Sequence, residues 1–147
     1  MKVTLIQDEV ETPEITIRYK TMDAKLAAVI DAAKGGPKTI IGLDAERRSE
    51  HPVLVQDIYY LETVNGRTFI NLKKDLLETG KKLYQLEREL APFGFCQINK
   101  SCLLNTRKLT GVQTLANSRL KGTLDNGEKL IITRTYIVPL RNKLREG

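Results

Sequence analysis

Apolar positions in the first third of the chain recur at two different spacings. Residues 2–6 and 15–19 alternate apolar and polar side chains and are rich in β-branched residues, a pattern that predicts β-strands. Residues 39–43 predict a third strand on the same grounds. Between the second and third strands, apolar residues at three- and four-residue intervals predict an amphipathic helix, namely Leu26, Val29, Ile30 and Ala33. This part of the chain therefore predicts a small β-α-β unit.

Polar and conformationally special residues mark the ends of this unit. Thr21 or Asp23 can accept a hydrogen bond from the first free amides of the helix, so either predicts its N-cap. The Gly-Gly-Pro sequence at 35–37 predicts its end, because Gly adopts the left-handed cap conformation and Pro cannot continue a helix. Residues 44–50 are polar and predict a linker or an exposed loop. The chain is thus expected to divide into a small α/β extension, residues 1–50, and a domain of residues 51–147.

From residue 51 onward the pattern is mostly that of β-strands. Asn-Gly dipeptides at 65–66 and 126–127 are typical of tight hairpin turns. A last period of apolar residues contains Pro139, which predicts a kinked helix or two short pieces. One further helix is predicted by three leucines at helical spacing, Leu83, Leu86 and Leu90. The predicted strands are residues 53–55, 58–62, 68–72, 95–98, 108–115, 119–124 and 129–132.

Length and composition are those of an ordinary globular protein. The chain has 147 residues, of which 41% are hydrophobic and 29% charged, which suits one domain with a short appendage. No apolar run approaches the roughly 18–20 residues that a membrane helix needs. Asp8 and Glu9 interrupt the position where the apolar stretch of a signal peptide would continue. We therefore expect a cytoplasmic protein.

The sequence lacks the common motifs of catalysis and cofactor binding. It contains no glycine-rich phosphate loop, no dinucleotide fingerprint and no nucleophile elbow. One histidine, His51, and two cysteines, Cys96 and Cys102, are too few for a standard Cys/His zinc site. The cysteines have no C-x-x-C spacing, so we interpret them as small buried hydrophobic residues. We expect no enzyme activity, no metal, no cofactor and no small-molecule substrate.

The net charge of +6 is concentrated in the last third of the chain. Residues 95–147 carry ten Lys and Arg against three Asp and Glu, a net charge of +7, whereas residues 1–50 carry −1 and residues 51–94 carry zero. Such asymmetry is typical of a surface that meets phosphates, in nucleic acid or at an anionic membrane. A basic surface without a partner is the alternative.

Three stretches of the second half follow one another in a specific order. They are DIYYLE at 57–62, FCQINKSCLLN at 95–105, and LDNGEKLIITRTY at 124–136. Together they resemble the LytTR DNA-binding domain of bacterial transcription regulators, over about residues 52–145. Two departures from that family's pattern are Thr133, where serine is usual, and Pro139 within the final helix.

The resemblance implies an α+β fold, a predominantly antiparallel β DNA-binding domain preceded by the small β-α-β extension. In such a domain loop side chains, rather than one recognition helix, enter successive major grooves. Arg and Lys can donate to guanine, and Asn can pair with adenine. By position, the base-contacting loops fall on Arg67 or Thr68, on Asn99 and Lys100 beside Ser101, and on Arg134. Five further basic residues are interpreted as phosphate contacts: Arg107, Lys108, Arg119, Lys121 and Arg141.

The resemblance also implies the partners. Double-stranded DNA is expected, with two protomers on tandem direct repeats, and we expect residues 1–50 to form the homodimer. A receiver domain would need more chain than residues 1–50, so the protein resembles stand-alone regulators that a companion membrane protein controls. Two alternatives stay open. One is a non-catalytic protein-interaction module with an incidental basic surface. The other is RNA binding, which is disfavoured because residues 95–147 contain only two aromatic residues, Phe95 and Tyr136.

Asn105 is interpreted as structural, because an asparagine side chain can bond the backbone of the turn that follows a strand. The predicted core consists of apolar residues from the strands and the leucine helix: Tyr60, Leu61, Ile70, Leu72, Leu83, Leu86, Phe95, Ile98, Leu103, Leu104 and Ile131.

Overall fold

The computed structural model describes residues 2–35 and 38–146. The helices of these residues are α1 (Ala24–Gly35), α2 (Leu83–Leu90) and α3 (Ile137–Glu146). The strands are β1 (Thr39–Asp44), β2 (Ser49–Leu54), β3 (Tyr60–Val64), β4 (Arg67–Asn71), β5 (Leu76–Thr79), β6 (Phe95–Asn99), β7 (Cys102–Asn105), β8 (Leu109–Leu115), β9 (Arg119–Leu124) and β10 (Lys129–Ile132).

The strands form two antiparallel sheets. The larger has seven strands in the order β2-β1-β5-β4-β3-β7-β6, and the smaller has three in the order β10-β9-β8. The paired strands of both sheets run antiparallel. This confirms the expected α+β architecture with mostly antiparallel strands.

The first hydrophobic core lies between the large sheet and α2. Side chains alternate along the strands, so Leu61, Ile70 and Leu103 point to the same face, which we call the inner face. From α2, Leu86 and Leu90 meet them; they lie four residues apart and therefore share one side of the helix. This packing makes α2 the cover of the inner face.

The second core lies between the β6–β7 side of the large sheet and the small sheet. Ile98, Leu104, Leu120, Ile132 and Leu140 are all buried there. In the small sheet Leu120 pairs with Ile132, so both point inward, and Ile131 points outward with 36% of its surface exposed. The prediction that Ile131 is a core residue was therefore wrong by one position, because a shift of one residue in a strand turns the side chain to the other face.

Asn105 ties the segment before β3 to the turn that follows β7. Its side chain is buried, its amide nitrogen donates to the Ile58 carbonyl at 2.8 Å, and its oxygen accepts from the Arg107 backbone amide at 3.1 Å. The structural interpretation of this residue is confirmed.

The N-terminal part departs from its prediction. Residues 2–23 contain neither helix nor strand, so the two strands predicted at 2–6 and 15–19 were wrong. Alternation alone does not make a strand, since a strand needs a neighbour for its backbone hydrogen bonds. The helix was correct: the Asp23 carboxylate accepts from the Leu26 amide at 2.7 Å and caps α1. The predicted Gly-Gly-Pro stop extends to residues 36 and 37, outside the described residues.

Residues 44–50 form the turn of a hairpin rather than a linker between separate pieces. β1 pairs with β2 along its whole length, and Leu43 also pairs with Glu78 of β5. Ile40 of β1 is buried in the first core. The division of the chain after residue 50 stays a prediction, and this hairpin crosses it.

Two strands and the start of the last helix differ from what the pattern predicts. The pattern does not predict β5 or β7, since β5 is short and all four side chains of β7 are buried, which removes the alternation. The expected break near Pro139 occurs before it: residues 134–136 form a 3₁₀ turn and α3 begins at Ile137. Pro139 thus lies in the first turn of α3, where its missing N–H is tolerated.

Candidate nucleic-acid interface

Three segments meet at one end of the domain. They are the β6–β7 turn with Asn99, Lys100 and Ser101, the end of β3, and the stretch from Ile131 to Arg134 that leads into α3. The Thr63 amide donates to the Ser101 carbonyl at 2.8 Å, and the Thr133 amide donates to the Ile98 carbonyl at 3.0 Å. Backbone hydrogen bonds therefore fix the β6–β7 turn between the other two segments.

Asn99 holds the β6–β7 turn in shape. Its side-chain oxygen accepts from the backbone amide of Ser101 at 3.0 Å and from the Ser101 hydroxyl at 3.1 Å. Its amide nitrogen donates to the Ile131 carbonyl at 3.2 Å. These bonds leave Lys100 at the exposed apex of the turn.

Lys100 and Arg134 are two exposed cations of this end. Neither forms a salt bridge in the part of the chain that the structure describes. Arg134 begins the 3₁₀ turn that precedes α3, directly after the hydrogen bond that ties Thr133 to β6. Both charges can therefore meet an anion without first giving up an acidic partner.

β9 brings two more cations to the same end. Lys121 pairs across the sheet with Ile131, and Arg119 directly precedes Leu120, which pairs with Ile132. Leu120 points inward, so the side chains of Arg119 and Lys121 point outward. We call Lys100, Arg119, Lys121 and Arg134 the basic end.

The structure places the other predicted phosphate contacts elsewhere. Arg107 and Lys108 follow β7 at the opposite end from the β6–β7 turn, about 13 Å along the strand at 3.3 Å per residue. The Lys108 amine lies 4.9 Å from the centroid of the Tyr59 ring. Arg141 is exposed on α3 beside the buried Leu140, in the turn of helix that follows the basic end.

Arg67 has a partner of its own. Its guanidinium donates to both carboxylate oxygens of Glu78, at 2.8 and 2.6 Å, and lies 5.4 Å from the centroid of the Phe69 ring. The hydrogen bonds from Arg67 lower the pKa of Glu78. A contact between Arg67 and a base would have to break this bidentate pair.

Thr68 lies next to Arg67 but on the inner face. It is 4% exposed, and its hydroxyl lies 3.4 Å from that of Thr63. The sequence could not separate Arg67 from Thr68, because the face on which each lies depends on strand register. Contact with DNA stays a prediction for both: Arg67 is exposed but paired with Glu78, and Thr68 is buried.

Lys129 is a basic residue of the small sheet that the sequence analysis did not assign to the DNA-binding surface. Lys129 of β10 is exposed. It lies two residues before Ile131, so its side chain points to the same outward face of the small sheet as Ile131 and Lys121. No sequence signal identified it, because the two-residue spacing from Ile131, which the sequence predicted to be a core residue, would have turned Lys129 inward as well.

Buried titratable groups complete the electrostatic description. Burial raises the pKa of the Cys102 thiol, which is 1% exposed, and the pKa of the Cys96 thiol. Both thiols therefore stay protonated near neutral pH. Cys102 is buried as predicted, whereas Cys96 is only half-buried. The Tyr59 hydroxyl donates to the Asp125 carboxylate, and this hydrogen bond raises the pKa of Tyr59 to about 12.

The described residues hold neither a cluster of metal ligands nor a membrane-spanning helix. In residues 2–35 and 38–146, no group of three or more His, Cys, Asp or Glu side chains is placed to hold a metal ion. No helix in those two ranges is long and apolar enough to cross a membrane.

Comparison with known proteins gives consistent matches. The family model of the LytTr DNA-binding domain matches residues 49–145. The sensory transduction protein LytT of Bacillus cereus is 28% identical over 93 residues, which cover 63% of this chain and 38% of that protein. The transcriptional regulatory protein LytR of Staphylococcus aureus is 31% identical over 87 residues, which cover 59% of this chain and 35% of that protein. The chain thus matches well under half the length of these two relatives.

A solved structure shares the fold. A LytTr DNA-binding domain from Bacillus cereus superposes with a TM-score of 0.68 at 20% identity, covering 74% of this chain and 98% of that one. At this identity the likeness concerns the fold alone.

Proposed function

Because the chain belongs to the LytTr DNA-binding domain family, we propose that it is a transcription regulator that binds specific sequences of double-stranded DNA. The observation that carries the proposal is the basic end, where Lys100 and Arg134 are exposed on turns that backbone hydrogen bonds hold in place. Cations held on such turns can enter a groove without a large loss of conformational freedom. The regulator has no catalytic role in this proposal.

Lys100 and Arg134 are the proposed base-reading residues. Both side chains can donate to the O6 and N7 atoms of guanine, and an arginine can do so with two hydrogen bonds. Asn99 and Ser101 act through Lys100, because their hydrogen bonds to each other and to Ile131 shape its turn. We therefore assign Asn99 to positioning and not to adenine recognition.

The remaining cations are proposed to contact phosphates. Arg119, Lys121 and Lys129 share the outward face of the small sheet, and Arg141 follows on α3. Arg107 and Lys108 lie at the other end of β7 and would meet a separate stretch of backbone. Contacts of this kind position a protein on DNA without specifying sequence.

The wider setting is proposed from the family. Two protomers bind tandem direct repeats in the bacterial cytoplasm, where the chromosome lies, and a companion membrane protein controls the regulator. The exposed apolar residues of the N-terminal segment support an association with a second protomer.

A salt titration tests the DNA-binding function. Affinity for a duplex carrying the specific site and for a random duplex is measured between 50 and 200 mM salt. We expect the logarithm of the affinity constant to fall with the logarithm of salt concentration by about 0.9 per phosphate contact, so by several units in total. A flat titration would overturn the proposal and favour the interaction-module alternative. Equal affinity for both duplexes would overturn sequence specificity.

A further inference from the structure

The outer face of the large sheet, which is the face away from α2, is covered at β3 and β7 but not at the strands towards β2. At β3 and β7 the outward side chains Tyr60, Cys102 and Leu104 pack into the second core. Across β4, β5, β1 and β2 nothing in the described residues covers the outward side chains. Thr39, Glu50, Arg67, Asn71 and Glu78 point to this side together with six apolar side chains. We call these six the open face: Ile41, Leu43, Pro52, Leu54, Phe69 and Leu76.

The open face exposes apolar side chains beside charged ones. Ile41, Leu43 and Leu76 are 53%, 37% and 57% exposed. Leu43, Phe69 and Leu76 line a groove of about 610 Å³, whose charged members are Asp44, Glu46, Arg47, Arg67, Asp75 and Glu78. Arg67 pairs with Glu78 and Arg47 with Asp44, so the excess charge of the groove is negative. Exposed apolar side chains on a sheet face are typical of a protein interface, and a negative excess charge is unsuited to phosphate.

A second surface of the same character lies in residues 2–22. This segment has no helix or strand, and its apolar side chains are among the most exposed of the described residues: Val3 76%, Leu5 92%, Ile6 83%, Ile15 72% and Tyr19 58%. Its two alternating runs have the composition of β-strands that lack a partner. The chain therefore exposes both an uncovered sheet face and an unpaired apolar segment.

The segment starts far from the open face of its own chain. Thr21, Met22 and Asp23 line a cleft with Pro92 and Lys143, and α1 lies against the turn at 91–93 that follows α2. α2 covers the inner face, so the segment leaves the domain on the side opposite the open face. The apolar side chains of the segment are exposed, so the segment does not cover the open face of its own chain.

The small area of the open face also favours a dimer that includes the apolar segment over a dimer formed by two open faces alone. Four strands about 4.8 Å apart, with roughly five residues of 3.3 Å each, span only about 320 Å². A stable dimer buries about 800 Å² on each partner. Two open faces pressed together fall well short of that, whereas a reciprocal exchange adds an apolar segment of each copy to the interface.

We propose that the open face of one protomer binds residues 2–19 of a second copy of the same chain, and that this exchange forms the homodimer. The proposal rests on the homodimeric regulator proposed above and specifies its interface. The basic end lies at the β6–β7 edge of the large sheet, and β2 forms the opposite edge, so the exchange leaves the proposed DNA contacts of the basic end free.

The test uses three full-length variants and sedimentation velocity. The face variant is Leu43→Gln with Leu76→Gln, and the segment variant is Leu5→Gln with Ile15→Gln. Each replaces exposed apolar side chains by uncharged polar ones of similar size. Tyr84→Gln on α2 is the matched control, since Tyr84 is 62% exposed on the side of the sheet away from the open face.

We expect a dimer for the wild-type chain and for Tyr84→Gln. Each double variant alone should show a dimer dissociation constant raised by about 100-fold or more, because two buried apolar side chains are lost at each contact. An equimolar mixture of the two double variants should associate more tightly than either alone, since one intact face then meets one intact segment.

Three results would overturn the exchange. A segment variant as dimeric as the wild type would show that the faces pack on each other. A mixture no tighter than its components would show that face and segment do not pair in trans. A wild-type chain that stays monomeric throughout would place the segment on its own chain or on another partner. Binding of the wild-type chain and of each variant to a single DNA half-site is measured in parallel. A wild-type chain that does not bind the half-site would contradict the proposed function and not the exchange.

Discussion

Lys100 and Arg134 come from turns 34 residues apart in the chain, and one hydrogen-bonded frame holds both. Asn99 links them directly, because its side chain shapes the Lys100 turn and also bonds Ile131, three residues before Arg134. At the scale of the residue, the proposed specificity therefore depends on two exposed side chains and one half-buried asparagine that positions them.

Replacing either cation should affect specific DNA most. We expect Lys100→Ala and Arg134→Ala each to cost about 1–3 kcal/mol of binding free energy on the specific site and to relax discrimination there. Lys121→Ala should weaken binding to specific and random duplexes alike. Fluorescence anisotropy with both duplexes measures these differences, with Lys25→Ala on α1 as the matched control. Equal losses on both duplexes for Arg134→Ala would show that it contacts phosphate only.

The Arg67–Glu78 pair leads to a prediction about pH. Arg67 lowers the pKa of Glu78, so the charged carboxylate is favoured in the folded state. Its contribution to stability is therefore present above the pKa of glutamate in the unfolded chain, about 4.3, and is lost as the pH falls through the lower folded value. Urea unfolding should show Arg67→Gln less stable than the wild type at pH 7, with the gap closing on acidification to pH 3.

The same variant decides the role of Arg67 in DNA binding. Because the guanidinium is already committed to Glu78, Arg67→Gln should reduce affinity for the specific site far less than Lys100→Ala. An equally large loss would show that Arg67 leaves Glu78 and reads the DNA, as its position in the sequence first indicated.

At the scale of the element, the β1–β2 hairpin decides where the chain can be cut. β1 connects β2 to β5, and Ile40 and Val53 from the two strands are both buried in the first core. A boundary after residue 50 therefore falls inside a strand of the large sheet.

Two shortened chains test this boundary. A chain that begins at Lys38 keeps the hairpin and should fold and bind a single half-site almost normally. A chain that begins at Pro52 loses all of β1 and the first half of β2. It should be destabilised by several kcal/mol, because removing Ile40 alone is equivalent to a large-to-small core change of about 2–5 kcal/mol. Circular dichroism and urea unfolding compare the two. Equal stability of both chains would make residues 1–50 a separable module.

At the scale of the whole molecule, charge and apolar surface are segregated. The basic end lies on the small sheet and the β6–β7 turn, and the open face lies at the opposite end of the strand order. In the proposed homodimer, DNA and a second protomer therefore use different surfaces and can bind at the same time, which is the condition for cooperative occupation of two sites.

Spacing between sites should control that cooperativity. Affinity for two tandem half-sites should exceed the sum of the separate sites when their centres are about 10–10.5 base pairs, or a multiple, apart, since both then lie on one side of the helix. Inserting about five base pairs should abolish the gain, and inserting about ten should restore part of it. Footprinting over a concentration series measures the effect. Independence from spacing would show that the protomers bind without contact.

The sequence by itself determined the family, the mostly antiparallel fold and the third of the chain that carries the charge. Its local signals were sufficient because turn dipeptides, strand alternation and helical leucine spacing depend on near neighbours along the chain. These signals predicted strands β9 and β10 and the structural role of Asn105. They also placed the cap of α1 at Thr21 or Asp23, and Asp23 is the residue that caps it.

Only the tertiary structure decided which residues meet and which face they present. Ile131 and Thr68 each changed face through strand register, Arg67 acquired Glu78 from a strand that the pattern did not predict, and residues 2–19 lacked a neighbour with which to become strands. The physical reason is common to all four. Pairing partners, ion pairs and burial are set by contacts between residues distant in sequence, and the chain pattern holds no direct record of those contacts.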